Sequence, residues 1–220
     1  MNIRQKESAI KTQLFNSLFI EAKNEVPSPH HKVMIVMHGL GDRKESYVDL
    51  VSEINVTGLA YLLIDAPRSY PIGHSWYEIP PGNPQIGIHE SSEMILKLID
   101  ELVSAGYKHS DIFICGFSQG GCMAIQALLK LQTPIAGVVA LSPRIYEEFL
   151  PTEISENILS TPLFIAHGEF DSVIPFKQTM EGAQKIANLG FEIQFNGYDM
   201  DHEIDVIEIR DVREWLNEYL

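Results

Sequence analysis

Apolar positions along the chain fall into two kinds of run. The blocks 33–37, 59–64, 112–115, 135–141 and 163–166 are apolar throughout, as a strand covered by helices on both faces requires. Between them apolar residues recur every three or four positions: Tyr47, Leu50, Val51, Ile54; then Ile95, Leu98, Ile99, Leu102, stopping near Gly106; then Met123, Ala124, Ala127, Leu128, Leu131; and last Val212, Trp215, Leu216, Tyr219. Each set is the stripe of a helix laid on a core. The stretch 14–21 reads as an opening strand with Leu14, Leu18 and Ile20 on one side, although its alternation is imperfect. Alternation of Phe191, Ile193 and Phe195 suggests a strand nearer an edge, and Pro27 and Pro29 place a turn at 25–32. Strands alternating with helices over the whole length predict an α/β sheet, mostly parallel, with helices on both faces and right-handed crossovers. In such sheets a ligand sits beyond the carboxyl ends of the strands. With 220 residues, 45% of them hydrophobic, the expectation is a single domain over 1–220 with a sizeable core.

One segment breaks the pattern. From 65 to 90 there is no clear periodicity, and Pro67, Pro71, Pro80, Pro81 and Pro84 punctuate a stretch too long for a passive connection. A lid or substrate-binding wall is expected, with Trp76, Tyr77 and Ile79 available for apolar contact or for pinning the loop to the core. His74 and His89 read as solvated loop histidines.

Charge narrows the classes of partner. A formal net charge of −14 and a pI near 4.9 disfavour nucleic-acid backbones and anionic lipid surfaces. The opening residues are polar with no apolar signal-like core, and no run of eighteen apolar residues offers a transmembrane segment. Cys115 and Cys122 fall in a predicted strand and helix and read as small buried residues; neither a disulfide nor a metal-ligand spacing is suggested. A cytoplasmic location is expected.

Chemistry enters at Gly116-Phe117-Ser118-Gln119-Gly120, between the strand at 112–115 and the helix that follows. This is G-x-S-x-G, a strand-to-helix turn so tight that the residues flanking the serine must lack bulk; Gly121 gives further room. It lifts the Ser118 hydroxyl clear of the sheet at a helix N-terminus, whose free N–H groups suit an oxyanion. The plain alternative is a small residue in a tight turn; a phosphate loop is disfavoured because no Gly-Lys-Ser/Thr follows. The strand at 33–37 ends in His38-Gly39-Leu40-Gly41-Asp42, a loop able to aim one N–H at the same point. Leu40 N–H and Gln119 N–H are then the candidate oxyanion donors, with a simple strand-ending turn as the rival. Asp42, three residues before Glu45, reads as a helix N-cap. Two histidines follow Ser118. His167 would leave no good acid between itself and the serine, so His202 is the candidate base. Asp171, in the proline-closed loop after the strand at 163–166, is the candidate acid; Glu169 is its local rival, and Asp199 and Asp201 are badly placed as sequence neighbours of His202.

In their order, HGLGD, GFSQGG, HGEFDSVIP and MDHEI resemble the phospholipase/carboxylesterase branch of the α/β-hydrolase superfamily, which includes acyl-protein thioesterases. The likeness runs from about residue 33 to the C-terminus. It implies a Ser118, Asp171, His202 triad, oxyanion donors at Leu40 and Gln119, and cleavage of esters or thioesters through an acyl-enzyme without metal or organic cofactor. Trp76 resembles the family's aromatic after the long loop. The implied partner is a small-molecule or acyl ester or thioester substrate, with a homodimer left open. Two departures stand out. The family commonly has a glycine before the base, where this chain has Asp201, a carboxylate expected to raise the His202 pKa. After the strand ending at Leu141 the family tends to small and apolar residues, whereas Ser142-Pro143-Arg144 brings a cation toward the acyl or leaving-group side. That departure weighs against carrying over a lipid-modified protein substrate from the family. The alternatives are a lysophospholipase of the same branch, a dienelactone-hydrolase-like enzyme, disfavoured by serine in place of cysteine, and a non-catalytic small-molecule binding module.

Overall fold

The two-residue period of each central strand sorts its side chains onto two faces. Val33, Ile35 and Met37 share one apolar cluster with Ile112, Ile114, Val138, Ala140, Leu163 and Ile165, while Met34, Val36, Phe113, Cys115, Val139, Leu141, Phe164 and Ala166 belong to the other. The computed structural model describes residues 12–23 and 32–220. Most of the turn expected at 25–32, and most of the polar opening segment, lie outside them.

The strands are β1 (Ser17–Ile20), β2 (Lys32–Met37), β3 (Leu59–Ile64), β4 (Arg68–Ser69), β5 (His74–Ser75), β6 (Ile112–Phe117), β7 (Gly137–Leu141), β8 (Leu163–Gly168) and β9 (Ile193–Tyr198). Seven form one sheet in the order β1-β3-β2-β6-β7-β8-β9; β1 is antiparallel to β3 and every other pairing is parallel. Helices α1 (Val48–Ile54), α2 (Pro84–Ser104), α3 (Gln119–Leu128), α4 (Phe176–Asn188) and α5 (Val206–Glu218) cover it, with α2, α3 and α4 on one face and α1 and α5 on the other. The parallel strands bring residues 38–42, 118, 142–144, 169–171 and 199–202 to one rim of the sheet, where the topology rule places a ligand. No helix of the described residues is long and apolar enough to cross a membrane. Cys115 and Cys122 are buried free thiols, and burial pushes both up to about 12.

The structure redraws three expectations. The irregular segment ends at 83, not 90: Asn83 caps the Gln85 N–H, Pro84 occupies the first turn, and α2 runs on from there with His89 inside it. Within 65–83, β4 and β5 pair as a small hairpin. Asp42 is not a helix N-cap; its Oδ1 accepts from its neighbour Arg43 N–H and from Ser46 Oγ, and its backbone bridges to His74. Helix α4, not expected from the periodicity, covers β8 and β9.

Glu208 on α5 has no exposed surface, and among the described residues neither carboxylate oxygen has a hydrogen-bond partner. Burial pushes its pKa up to about 8. The folded protein therefore holds a proton there that the unfolded chain releases near 4.5, so stability present at low pH is lost as pH rises from about 4.5 to about 8. Glu208→Gln removes that term, worth on the order of a few kcal/mol. Denaturant titrations at pH 5 and pH 8 should show the variant gaining on the parent as pH rises; parallel stability curves for the two proteins would refute this.

Candidate functional site

Ser118 is held in a conformation that L-residues avoid, φ 55°, ψ −112°. Its N–H donates to Leu141 O at 2.9 Å, its carbonyl accepts from Cys122 N–H at 3.0 Å, and α3 departs at once. The neighbouring glycines leave no room for a side chain: a Cβ on Gly116 would lie 2.2 Å from Gly120 C and O, and one on Gly120 would lie 2.3 Å from Met37 O. Close backbone approach across β2, β6 and α3 therefore fixes where the hydroxyl points.

His202 reaches that hydroxyl from the loop after β9, its Nε2 2.9 Å from Ser118 Oγ. Its Nδ1 lies 2.7 Å from Asp171 Oδ2. The carboxylate can only accept there, so Nδ1 carries the hydrogen and Nε2 presents its lone pair to the hydroxyl. The Phe117 ring packs on the imidazole at 4.9 Å between centroids. The Asp171 side chain is fully buried, its Oδ1 accepting from Val173 N–H at 2.9 Å and Ile174 N–H at 2.7 Å. Three loops thus bring alcohol, imidazole and carboxylate into one hydrogen-bonded chain. Glu169 is exposed and Asp199 is not part of it.

Asp201 does not turn its carboxylate on the imidazole. Its Oδ1 accepts from Ser172 N–H at 2.7 Å, Ser172 Oγ at 2.9 Å and the His202 backbone N–H at 2.8 Å. Those bonds, led by the one from Ser172 N–H, hold its carboxyl below the usual range. Where the family commonly has glycine, this residue ties the loop of the acid to the loop of the histidine.

Among the described residues, neither Leu40 N–H nor Gln119 N–H donates to a backbone carbonyl, and both residues line a cleft of about 470 Å³ together with Ser118 and His202. The rest of its wall is mostly apolar: Tyr77, Ile79, Pro80, Tyr146, Val173 and Ile174, with Asp42 and Arg144 as its charged members. Trp76 is not in that wall. It is wholly buried, and its indole N–H donates to His38 O at 2.9 Å, so it pins the loop to the core and leaves contact with the cleft to Tyr77 and Ile79.

Four side chains whose part in the site periodicity did not reveal shape the rim. Gln119 Oε1 accepts from Trp76 N–H at 3.0 Å and its Nε2 donates to Tyr77 O at 3.0 Å, fastening the wall segment to the elbow. Buried His38 accepts from Ala66 N–H at Nε2 and therefore donates from Nδ1 to Gly39 O; burial lowers its pKa. Tyr47, expected only as core, accepts from Gly39 N–H. His167 lies against the acid, with Nε2 2.8 Å from Ile174 O and 3.1 Å from Asp171 Oδ2, and burial lowers its pKa too. Both histidines end an apolar strand just before a glycine, a polar residue where the pattern calls for an apolar one.

A family model described as phospholipase/carboxylesterase matches residues 17–220. "Acyl-protein thioesterase 1" of Emericella nidulans is 30% identical over 86% of this chain and 90% of its own. A rice protein named a probable inactive carboxylesterase is 22% identical over 88% of this chain and 86% of its own. Among solved structures, Arabidopsis thaliana SOBER1 superposes with a TM-score of 0.79 at 20% identity, covering 86% of this chain and 99% of that one.

Proposed function

The chain belongs to the phospholipase/carboxylesterase family of the α/β-hydrolase fold and is an esterase or thioesterase, and from that premise we propose that Ser118 is its nucleophile, His202 its general base and Asp171 the orienting acid. The observation that carries this reading is the unbroken contact from Ser118 Oγ through His202 to Asp171, at 2.9 and 2.7 Å. As the hydroxyl attacks the substrate carbonyl, Nε2 takes its proton, and Asp171 stabilises the imidazolium without itself being protonated. Leu40 N–H and Gln119 N–H receive the oxyanion, each such donor being worth roughly 2.7–4 kcal/mol. The imidazolium protonates the leaving group, and water activated by His202 then releases the acid from the acyl-enzyme. The two amides on Oδ1 keep the Asp171 carboxylate in place throughout. The segment 65–83 acts as the substrate-binding wall through Tyr77, Ile79 and Pro80.

A member without turnover has a precedent in the name of the rice relative called a probable inactive carboxylesterase, and a binding module would be one such case. The hydrogen-bonded chain disfavours that role here, since a receptor has no use for a strained serine aimed at a fixed imidazole. Lysophospholipase activity would use the same centre on a larger substrate. The test is a rate profile over carboxylic esters and thioesters of increasing acyl length. Because the cleft wall is apolar, kcat/KM should rise about three- to fourfold per methylene until the cleft is filled, following roughly 0.8 kcal/mol per buried CH₂. Absence of turnover across the whole series would remove the proposal.

A further inference from the structure

Arg144 stands in this cleft with no carboxylate partner among the described residues. It follows β7 through Ser142, whose φ of 42° turns the chain, and its backbone is fixed on both sides. Pro143 O accepts from the buried Thr179 hydroxyl at 3.1 Å, and Ile145 is buried against Gly182 of α4. The guanidinium carbon lies 5.2 Å from the centre of the Tyr146 ring, and the side chain lines the same cavity as Ser118, Leu40 and Gln119. Its Nε is buried, and among the described residues it has no hydrogen-bond partner. Nor does any described carboxylate come within 4.0 Å of Arg144, although acids outnumber bases 30 to 16 in the chain. Arg68 and Arg210 are paired with carboxylates, and Arg213 donates to carbonyls at the end of α1. Asp42, the acid in the same wall, already accepts from Arg43 N–H and Ser46 Oγ.

A solvated surface arginine would not have a buried, unpartnered nitrogen. Burying such a donor costs free energy unless something accepts from it, and a planar guanidinium fork matches a carboxylate or another oxyanion. We propose that Arg144 docks an anionic group of the substrate, so that this site takes esters or thioesters joining an apolar chain to a carboxylate or similar anion. The proposal rests on the hydrolase reading above: Ser118 cleaves, Tyr77, Ile79 and Ile174 accommodate the carbon chain, and Arg144 selects the charge.

Two matched substrate pairs, given to the full-length protein and followed by titration of released acid, test it. On the acyl side, monomethyl adipate is compared with methyl 5-carbamoylpentanoate; on the leaving-group side, 4-acetoxybutanoate is compared with 4-acetoxybutanamide. The parent should prefer the anionic member of one pair by about tenfold or more in kcat/KM, the range expected for one charge-assisted hydrogen bond. The pair that shows the preference assigns Arg144 to the acyl or the leaving-group side. Arg144→Gln should collapse the anionic-to-neutral ratio, and Arg144→Lys, which keeps the charge without the fork, should restore part of it. No charge preference in either pair overturns the inference while leaving the hydrolase reading standing, as does an Arg144→Gln loss of equal size on charged and neutral esters. Failure to cleave any of the four, together with no fluorophosphonate labelling of Ser118, takes down both.

Discussion

Exchange of Ser118 for alanine should abolish covalent labelling by a fluorophosphonate and lower ester hydrolysis by about 10⁴- to 10⁶-fold, the loss seen when a nucleophile acting as one unit with its base is removed. Little else should change. The hydroxyl has His202 Nε2 as its hydrogen-bond partner, so its loss leaves no other buried group unpaired. The strain at φ 55° is carried by the backbone and is the same for alanine as for serine. The variant should therefore melt near the parent while being inert, and that pairing separates lost chemistry from lost fold. His202→Ala should fall to a similar floor, because removing one member of a coupled unit costs about as much as removing several. Asp171→Asn should retain the geometry but weaken turnover by letting the imidazole take the wrong tautomer. Labelling that persists in Ser118→Ala would place the nucleophile elsewhere and leave the hydroxyl–imidazole–carboxylate contact without a catalytic role.

What the sequence made legible follows from what was apolar. Strands β2, β3, β6, β7 and β8 are buried on both faces, so their composition announces them. Helix α4 was passed over because three of the four residues it buries, Thr179, Gly182 and Ala183, are small, so its buried face, although at helical spacing, carries only Ile186 as a large apolar marker. The start of α2 was hidden in the same way by buried Ser91 and Ser92; Ser91 spends its hydroxyl on Trp76 O and Ser92 on His89 O. The hydroxyl, imidazole and carboxylate were readable since each lies in a loop after a strand and chain order leaves few choices. The role of Trp76 stayed open because an aromatic in an irregular segment looks the same whether it faces a ligand or the core, and only the bond to His38 O decides. Asp201 shows a related limit. Adjacency in sequence says that a carboxylate is near a histidine but not which way it points, and here Ser172 claims it.

The largest effect on stability should come from placing alanine at Gly116 or Gly120, and it arises without unusual backbone angles at either site. A methyl at 116 would meet Gly120 C and O at 2.2 Å; one at 120 would meet Met37 O at 2.3 Å and His38 O at 2.8 Å. These partners are main chain in β2, its following loop and α3, so no side chain can swing away and the elements themselves must separate. Overpacking of a core commonly costs about 1–3 kcal/mol; a clash against two backbones should exceed it and reach roughly 4 kcal/mol or more. For a chain of this size that is a fall of about 10 °C or more in Tm. Gly58→Ala supplies the contrast. Its φ of +82° strains any L-residue, yet nothing lies within 4 Å of the added methyl, so it should lose only about 1–2 kcal/mol. Gly120→Ala carries a second consequence, because the strand end it would push away leads into the loop of Leu40, while Gln119 lies beside it. Separating those two N–H groups weakens their hold on an oxyanion more than on a neutral carbonyl, so whatever activity survives should lose kcat before KM. An alanine at 120 that melts within about 2 °C of the parent would mean that the strand–helix junction has slack. A slack junction could not hold Ser118 against its backbone strain, and the hydroxyl's aim would then need a different cause.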